Sequence, residues 1–248
     1  MSKTLGILGG LGPAASVYFY RLITEHTRAV KDQDHLNIVL FSGADIPDRS
    51  EFILGKSDRS PLPLMKEDIR KLVSVGAEVI AVPCNTAHYF YDELEASSPV
   101  PVINIIRETV ALAKANGAKK VGVLATSGTI RAGAYQKICA DVSLDCAAPS
   151  PENEAALMEI IYGSIKQALP PDTAAFLRIA DSLRADGCDV ILLGCTELSL
   201  IVETPDFAPF SFIDSQLVLA KAAILTCGAE PCGFSATYDQ VKPIALSH

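Results

Sequence analysis

The sequence has no tryptophan, three methionines and only four histidines in 248 residues. The histidines, His26, His35, His88 and His248, never form an H-x-x-x-H pair, and no two cysteines form C-x-x-C. Neither common zinc pattern is present, so no metal site is expected. No apolar stretch reaches the roughly 20 residues that span a bilayer, so no membrane partner is expected. The opening residues, Met1 to Gly10, carry one lysine and a short apolar run without a cleavage-like signal. A cytoplasmic location is the expectation. Positive charge is also scarce, with 21 Lys and Arg against 29 Asp and Glu, a net −8. Such a chain repels phosphate backbones, which makes nucleic acid a poor partner. A local basic residue can still hold a small anion. The seven cysteines are odd in number and accompany no export signal, so structural disulfides are not expected.

Apolar residues make up 49% and charged residues 20%, enough for a sizeable core. Short β-branched runs alternate with longer helical patterns. Strands are predicted at 4–9, 36–41, 78–83, 101–105, 120–125, 144–148, 189–194 and 209–213. Helices are predicted near 14–30, 62–76, 87–96, 106–117, 131–141, 152–167, 172–187, 196–202 and 215–227. Uninterrupted apolar runs suit parallel strands buried on both faces, and the alternation implies βαβ units.

The chain also resembles itself. Glu78-Val-Ile-Ala-Val-Pro-Cys84-Asn-Thr86 parallels Asp189-Val-Ile-Leu-Leu-Gly-Cys195-Thr-Glu197, with the cysteines 111 residues apart. Val102-Ile-Asn104 parallels Phe212-Ile-Asp214 at an offset of 110, and Gly6-Ile-Leu-Gly9 parallels Gly122-Val-Leu-Ala125 at 116. The expected fold is therefore α/β with two similar lobes, an internal duplication related by a pseudo-twofold axis. Each lobe is a mostly parallel sheet flanked by helices. The lobes are placed at 1–105 and 106–214, with the C-terminal segment 215–248, opening with the helix 215–227, packing back on the first. Ligands bind beyond the carboxyl ends of parallel strands, and Cys84 and Cys195 both stand there, facing a cleft between the lobes.

Each cysteine precedes capping residues and a predicted helix, where free amides favour negative charge. Both thiols are expected to ionise below their usual range. Equivalent residues on opposite sides of a cleft suit proton transfer at two faces of one carbon, each thiol serving as acid or base. Cys139, Cys146, Cys188, Cys227 and Cys232 are read as structural or incidental. The Gly-rich start, Gly9-Gly10-Leu11-Gly12-Pro13, fails the G-x-G-x-x-G pattern at Ala15 and is read as a tight strand-to-helix turn with Pro13 at the helix start. The Leu11 backbone is a candidate ligand contact there. Thr126 and Thr129 in the second lobe offer hydroxyls and amides for a carboxylate, or simply cap a helix. Asp48 and Arg49 follow the second strand on the cleft side. Lys166 ends the pattern at 152–167. His88 is a packing residue or an assistant to Cys84.

Gly9-Gly10-Leu-Gly-Pro13, Pro47-Asp48-Arg49, Pro83-Cys84-Asn85-Thr86-Ala87-His88 and Gly194-Cys195-Thr196-Glu197 together resemble the aspartate/glutamate racemase family, closest to its aspartate branch. The likeness covers essentially the whole chain. It implies a homodimer of two-lobed subunits acting on a small acidic amino acid without pyridoxal phosphate, metal or other cofactor. It implies that Cys84 works on the D-enantiomer and Cys195 on the L-enantiomer. Asn85 and Thr86 would hold the substrate near its α-carboxylate, Arg49 and Lys166 would hold the side-chain carboxylate, and Thr196 is a further candidate substrate contact. Glutamate racemases usually open with Asp-Ser and carry histidine after the second Cys-Thr, whereas this chain has Gly-Gly-Leu-Gly-Pro and Glu197. A broad-specificity racemase and a non-catalytic binding relative remain the alternatives.

Overall fold

The computed structural model describes residues 2–202 and 212–244. In the first half the order is β1 (Leu5–Gly9), α1 (Pro13–His26), β2 (Ile38–Ser42), α2 (Arg49–Ile53), α3 (Leu62–Ser74), β3 (Val79–Ala81), α4 (Tyr91–Ser97), β4 (Val102–Ile103) and α5 (Ile105–Ala115). The second half follows with β5 (Lys120–Leu124), α6 (Ser127–Ala132), α7 (Ala134–Asp141), β6 (Asp145–Ala147), α8 (Pro151–Met158), α9 (Thr173–Ala185), β7 (Val190–Leu193), β8 (Phe212–Asp214) and α10 (Ser215–Thr226).

The strands form two four-stranded sheets, in the orders β2-β1-β3-β4 and β6-β5-β7-β8. Every pairing within them is parallel. The two orders are the same order, so the repeated sequence segments occupy equivalent places. β1 matches β5, β3 matches β7, and β4 matches β8. This is the α/β, two-lobed architecture expected. The central strands β1 and β3 are buried throughout, β5 and β7 at all but their first residue, and the edge strands β2 and β6 are partly exposed, as parallel sheets covered on both faces require.

Asn104 and Asp214 repeat one role as well as one sequence. Asn104 accepts from the N–H groups of Ile106 and Arg107 and caps α5. Asp214 accepts from the N–H of Gln216 and caps α10. The two helices then pack against each other, α5 also against α7 and α10 against α1. One apolar core runs through this junction, from Leu5 and Ile7 of the first sheet to Val121, Val123 and Leu192 of the second. Two smaller cores lie outside it, one beneath α3 and one beneath α9. The α10 helix is buried on nearly every side, and Ala220, Ala222 and Ala223 let its neighbours approach closely. No described helix is long and apolar enough to cross a membrane.

Several predicted elements change form. The helix at 87–96 is a 3-10 turn, Thr86–Phe90, followed by α4. That at 196–202 shrinks to a 3-10 turn, Leu198–Leu200. The pattern at 131–141 breaks at Gly133, whose φ of 65° is left-handed, into α6 and α7. The pattern at 152–167 begins as α8, widens to a π-helix at Glu159–Ser164 and ends in a 3-10 turn at Ile165–Gln167. Of the strand predicted at 209–213, residues 209–211 lie outside the described residues, as do 245–248 of the C-terminal segment.

Burial raises the Asp214 carboxyl to about 6, although Ser199 and the Gln216 amide both hydrogen-bond to it. The folded chain therefore holds this proton at pH values where the unfolded chain has released it. The stabilisation is complete below pH ~4 and is lost as pH rises through about 6, an effect on the order of 3 kcal/mol. Asn at 214 can cap the helix without this penalty. Urea unfolding of Asp214→Asn is expected to show a flatter stability profile between about pH 4 and 6 than wild type.

Candidate active site at the facing strand ends

Cys84 follows β3 and Cys195 follows β7, at equivalent ends of the two sheets. Both thiols line one small cavity between the lobes. Leu11, Asp48, Arg49, Ser50, Asn85, Thr86, Thr126, Tyr162, Lys166, Thr196 and Glu197 complete its wall. Every site residue expected from sequence is among these except Thr129, which is buried one step behind.

The threonines form a polar seam across the lobes. Thr86 Oγ1 lies 3.0 Å from Thr126 Oγ1 and 2.9 Å from Thr129 Oγ1. Ser50 Oγ donates to Thr126 Oγ1 at 3.2 Å. Thr126 also caps α6, accepting from the Thr129 N–H. Beside this seam Gly128 meets Ser50 so closely that a Cβ would sit 2.7 Å from the Ser50 Cα, a contact only glycine permits. Asn85 is largely committed elsewhere. Its Oδ1 accepts from Tyr135 Oη at 2.8 Å and its Nδ2 donates to Ser215 Oγ at 2.9 Å.

Arg49 and Lys166 reach the cavity from opposite lobes. The Arg49 guanidinium donates to the Leu11 carbonyl at 2.8 Å and to the Pro47 carbonyl at 3.1 Å, and it lines the same cavity as Cys84. Burial opposes its charge, but Cys84 and Asp48 outweigh burial and hold its pKa above the usual arginine value. Lys166 Nζ pairs with Glu197 Oε1 at 2.7 Å and lies over the Tyr162 ring. Burial again opposes the charge, and Glu197 and Cys195 more than compensate, raising the lysine. Glu197 is buried too, yet Lys166 keeps its carboxyl below the usual range.

The expected low ionisation of Cys195 does not hold. Burial and the Glu197 charge push its thiol well above the ordinary value, against the smaller opposing pull of Lys166. Two local causes explain the difference. The segment after Cys195 is a short 3-10 turn with little dipole to offer, and its Glu197 places an anion 3.0 Å from the sulfur. His88 is a packing residue. Its Nδ1 lies 2.8 Å from the Cys84 carbonyl oxygen, its Nε2 accepts from the Ile105 N–H, and burial lowers its pKa. It thereby joins the Cys84 loop to the start of α5.

Sequence reasoning missed Ser50 and Tyr162 and gave Glu197 no role. Tyr162 sits on the π-helix and donates across the cleft to Asp48 Oδ2 at 3.1 Å. A π-turn inside an α-helical pattern leaves no mark in periodicity, though such turns favour functional sites. Gly12 is also favoured here by its φ of 146°, which side chains rarely adopt, and a Cβ there would approach Glu197 Oε1 to 2.6 Å.

The cavity holds about 10 Å³, the room of a single water. A larger cleft of about 480 Å³ adjoins it, sharing Asp48, Arg49, Lys166 and Glu197 as its inner wall. An amino acid reaching both thiols must part the lobes or displace the Lys166–Glu197 pair.

Two lobes of one topology, with a cysteine at the same strand end of each, define the class. A family profile described as Asp/Glu/hydantoin racemase matches residues 8–223, and the chain belongs to that family. It resembles the aspartate racemase of Picrophilus torridus, at 30% identity and a TM-score of 0.83, covering 96% of this chain and 99% of that one. An aspartate racemase homologue from Pyrococcus horikoshii OT3 is 25% identical with a TM-score of 0.74, covering 92% and 99%. The broad specificity amino-acid racemase RacX of Bacillus subtilis (strain 168) is 27% identical over 234 residues, 90% of this chain and 97% of the relative.

Tyr162→Phe removes the hydrogen bond that ties the π-helix to Asp48 and leaves Asp48 as the cap of α2. It is expected to lower the unfolding free energy by about 1 kcal/mol, read by urea denaturation.

Proposed function

We propose that this protein interconverts L- and D-aspartate by two-base proton transfer at Cα, with Cys84 and Cys195 as the bases and no cofactor. The observation that carries this reading is the pair of thiols at equivalent strand ends, lining one cavity. One thiolate removes the Cα proton from one face, and the other thiol delivers its proton to the opposite face. The roles then exchange for the mirror substrate. The resemblance assigns Cys84 to the D-enantiomer and Cys195 to the L-enantiomer. The reading places the enzyme in the cytoplasm as a homodimer, acting on a small acidic amino acid, with neither nucleic acid nor membrane as partner.

Aspartate is favoured by the two cations that reach the cavity from different lobes, Arg49 buried and Lys166 partly open to solvent. Arg49 offers a planar guanidinium and Lys166 a point charge. An acidic side chain can take Lys166 from Glu197, and it joins the lobes by doing so. Thr86 and Thr196 are left for the α-carboxylate end, with the one Asn85 amide N–H that Ser215 does not take, and Thr126 and Thr129 lie behind them. A broad-specificity racemase is the second reading, supported by the likeness to RacX along nearly the whole chain.

Replacing Cys84 or Cys195 with Ala is expected to abolish racemisation while far-UV circular dichroism stays native. Near wild-type turnover by either variant would contradict the two-thiol reading. Cys139→Ala and Cys188→Ala are expected to affect stability at most.

Substrate choice is read from kcat/KM for L-aspartate, L-glutamate and L-alanine. Aspartate is expected to lead, with little activity on alanine. Arg49→Ala and Lys166→Ala should each lose about tenfold to a hundredfold on aspartate, since a charge-assisted bond contributes about 1.5–3 kcal/mol. Their loss on neutral substrates should be smaller. Alanine rivalling aspartate, or equal losses on all substrates, would favour broad specificity.

A further inference from the structure

The two cysteines are equally buried, each 5% exposed, but their charged neighbours have opposite sign. Cys84 has the Arg49 guanidinium against it. Cys195 Sγ donates to Glu197 Oε2 at 3.0 Å, and Thr196 Oγ1 lies 3.4 Å from the same oxygen. The other carboxylate oxygen, Oε1, is held by Lys166. Tyr162 faces Cys195 and Lys166 from the π-helix, and Asp48 faces Arg49 and Tyr162 from the first lobe.

We infer that Glu197 holds Cys195 in its protonated form in the resting enzyme, so that Cys195 is the acid and Cys84 the base of the first turnover. The inference rests on the two-thiol reading above. An anion at hydrogen-bond distance from a thiol accepts its proton's bond and opposes a second negative charge on the sulfur. Lys166 neutralises Glu197 and is neutralised by it, so little of its charge is left to draw an anion onto Cys195. The direction of the Cys195 shift, well upward, agrees with this geometry. Glu197 is a positioning residue for the proton and leaves the substrate itself to other groups.

The proton ledger closes. The Cα proton of the first substrate passes to the Cys84 sulfur, and the Cys195 proton passes to the opposite face of the carbanion. The enzyme is left with a Cys84 thiol and a Cys195 thiolate. It resets by proton exchange with solvent or by turning over the mirror substrate. The enantiomer whose Cα–H faces Cys84 meets a competent enzyme at once, and its mirror image waits for the reset. The equilibrium constant of a racemisation is unity, so kcat/KM is equal in the two directions. The bias appears instead as unequal kcat values, matched by equally unequal KM values.

The test is alkylation of the substrate-free enzyme with iodoacetamide across neutral to alkaline pH, with the modified peptides quantified by mass spectrometry. Both thiols lie behind the same closed cavity, so access is common to them. Cys84 of the wild type should be modified severalfold faster than Cys195 near pH ~8, because a carboxylate at hydrogen-bond distance opposes the thiolate at Cys195. Glu197→Gln should accelerate Cys195 by about tenfold or more and shift its profile to lower pH. Glu197→Asp keeps the charge and should keep the wild-type order. The kcat ratio of the two enantiomers should also move in Glu197→Gln and return toward wild type in Glu197→Asp.

Equal labelling of the two thiols in wild type would overturn the inference, as would Glu197→Asp behaving like Glu197→Gln. Should Glu197→Gln fail to fold, the wild-type labelling order still decides, because Cys195, with the Glu197 carboxylate on its sulfur, must be labelled more slowly than Cys84. The labelling order is measured without turnover. A failure of the racemase reading would show in the Cys→Ala variants and leave the labelling result standing.

Discussion

A charge buried without a partner is strongly destabilising, and this protein gathers Arg49, Lys166 and Glu197 around a space the size of one water. Each charge is accommodated by neighbours that are themselves part of the site. Arg49 leans on the Leu11 and Pro47 carbonyls and on Cys84, while Lys166 and Glu197 hold each other. The pairing decides what the thiols can do. It also decides how the lobes meet, because Lys166 and Glu197 belong to one lobe and Arg49 to the other. The Tyr162–Asp48 hydrogen bond and the Ser50–Thr126 contact close the same seam.

That seam can form only because the duplicated halves are locked in one orientation. The lock is apolar. The α5 and α10 helices, each beginning just after the last strand of its half, pack against one another in the shared core. Their caps, Asn104 and Asp214, fix where each helix starts, and so fix the distance from strand end to helix on both sides. Asp214 does this at a cost in stability at neutral pH, since its buried carboxyl prefers to keep its proton. His88 repeats the theme in the first half by tying the Cys84 loop to α5. Packing and the geometry of the candidate site are thus set by the same few residues.

The repeat was the most legible feature of the chain. Matching strand motifs at nearly one offset predicted two sheets of one topology, and the two catalytic candidates followed from their position at equivalent strand ends. Arg49 and Lys166 carried a weaker local signal and reached the same cavity. The Cys195 environment was misread because its decisive neighbour acts through side-chain geometry. A carboxylate two positions downstream can point anywhere in a turn. Here it folds back on the sulfur, in a segment too short to act as a helix. Tyr162 was hidden for a related reason. The pattern at 152–167 reads as continuous helix, and only the widened π-turn aims the phenol at Asp48. Side chains that meet across lobes, such as Gly128 against Ser50, leave no mark in a single sequence.

The central claim is that two different bases serve the two faces of Cα. Racemisation of L-aspartate in D2O, followed from the start by circular dichroism and by mass spectrometry of each separated enantiomer, tests it directly. The account predicts that the first D-aspartate formed carries deuterium at Cα while the remaining L-aspartate keeps its protium. The circular dichroism signal should then pass through zero and overshoot before returning. Protium retained in the early D-aspartate, or deuterium entering both enantiomers together, would mean that one group serves both faces and would contradict the account.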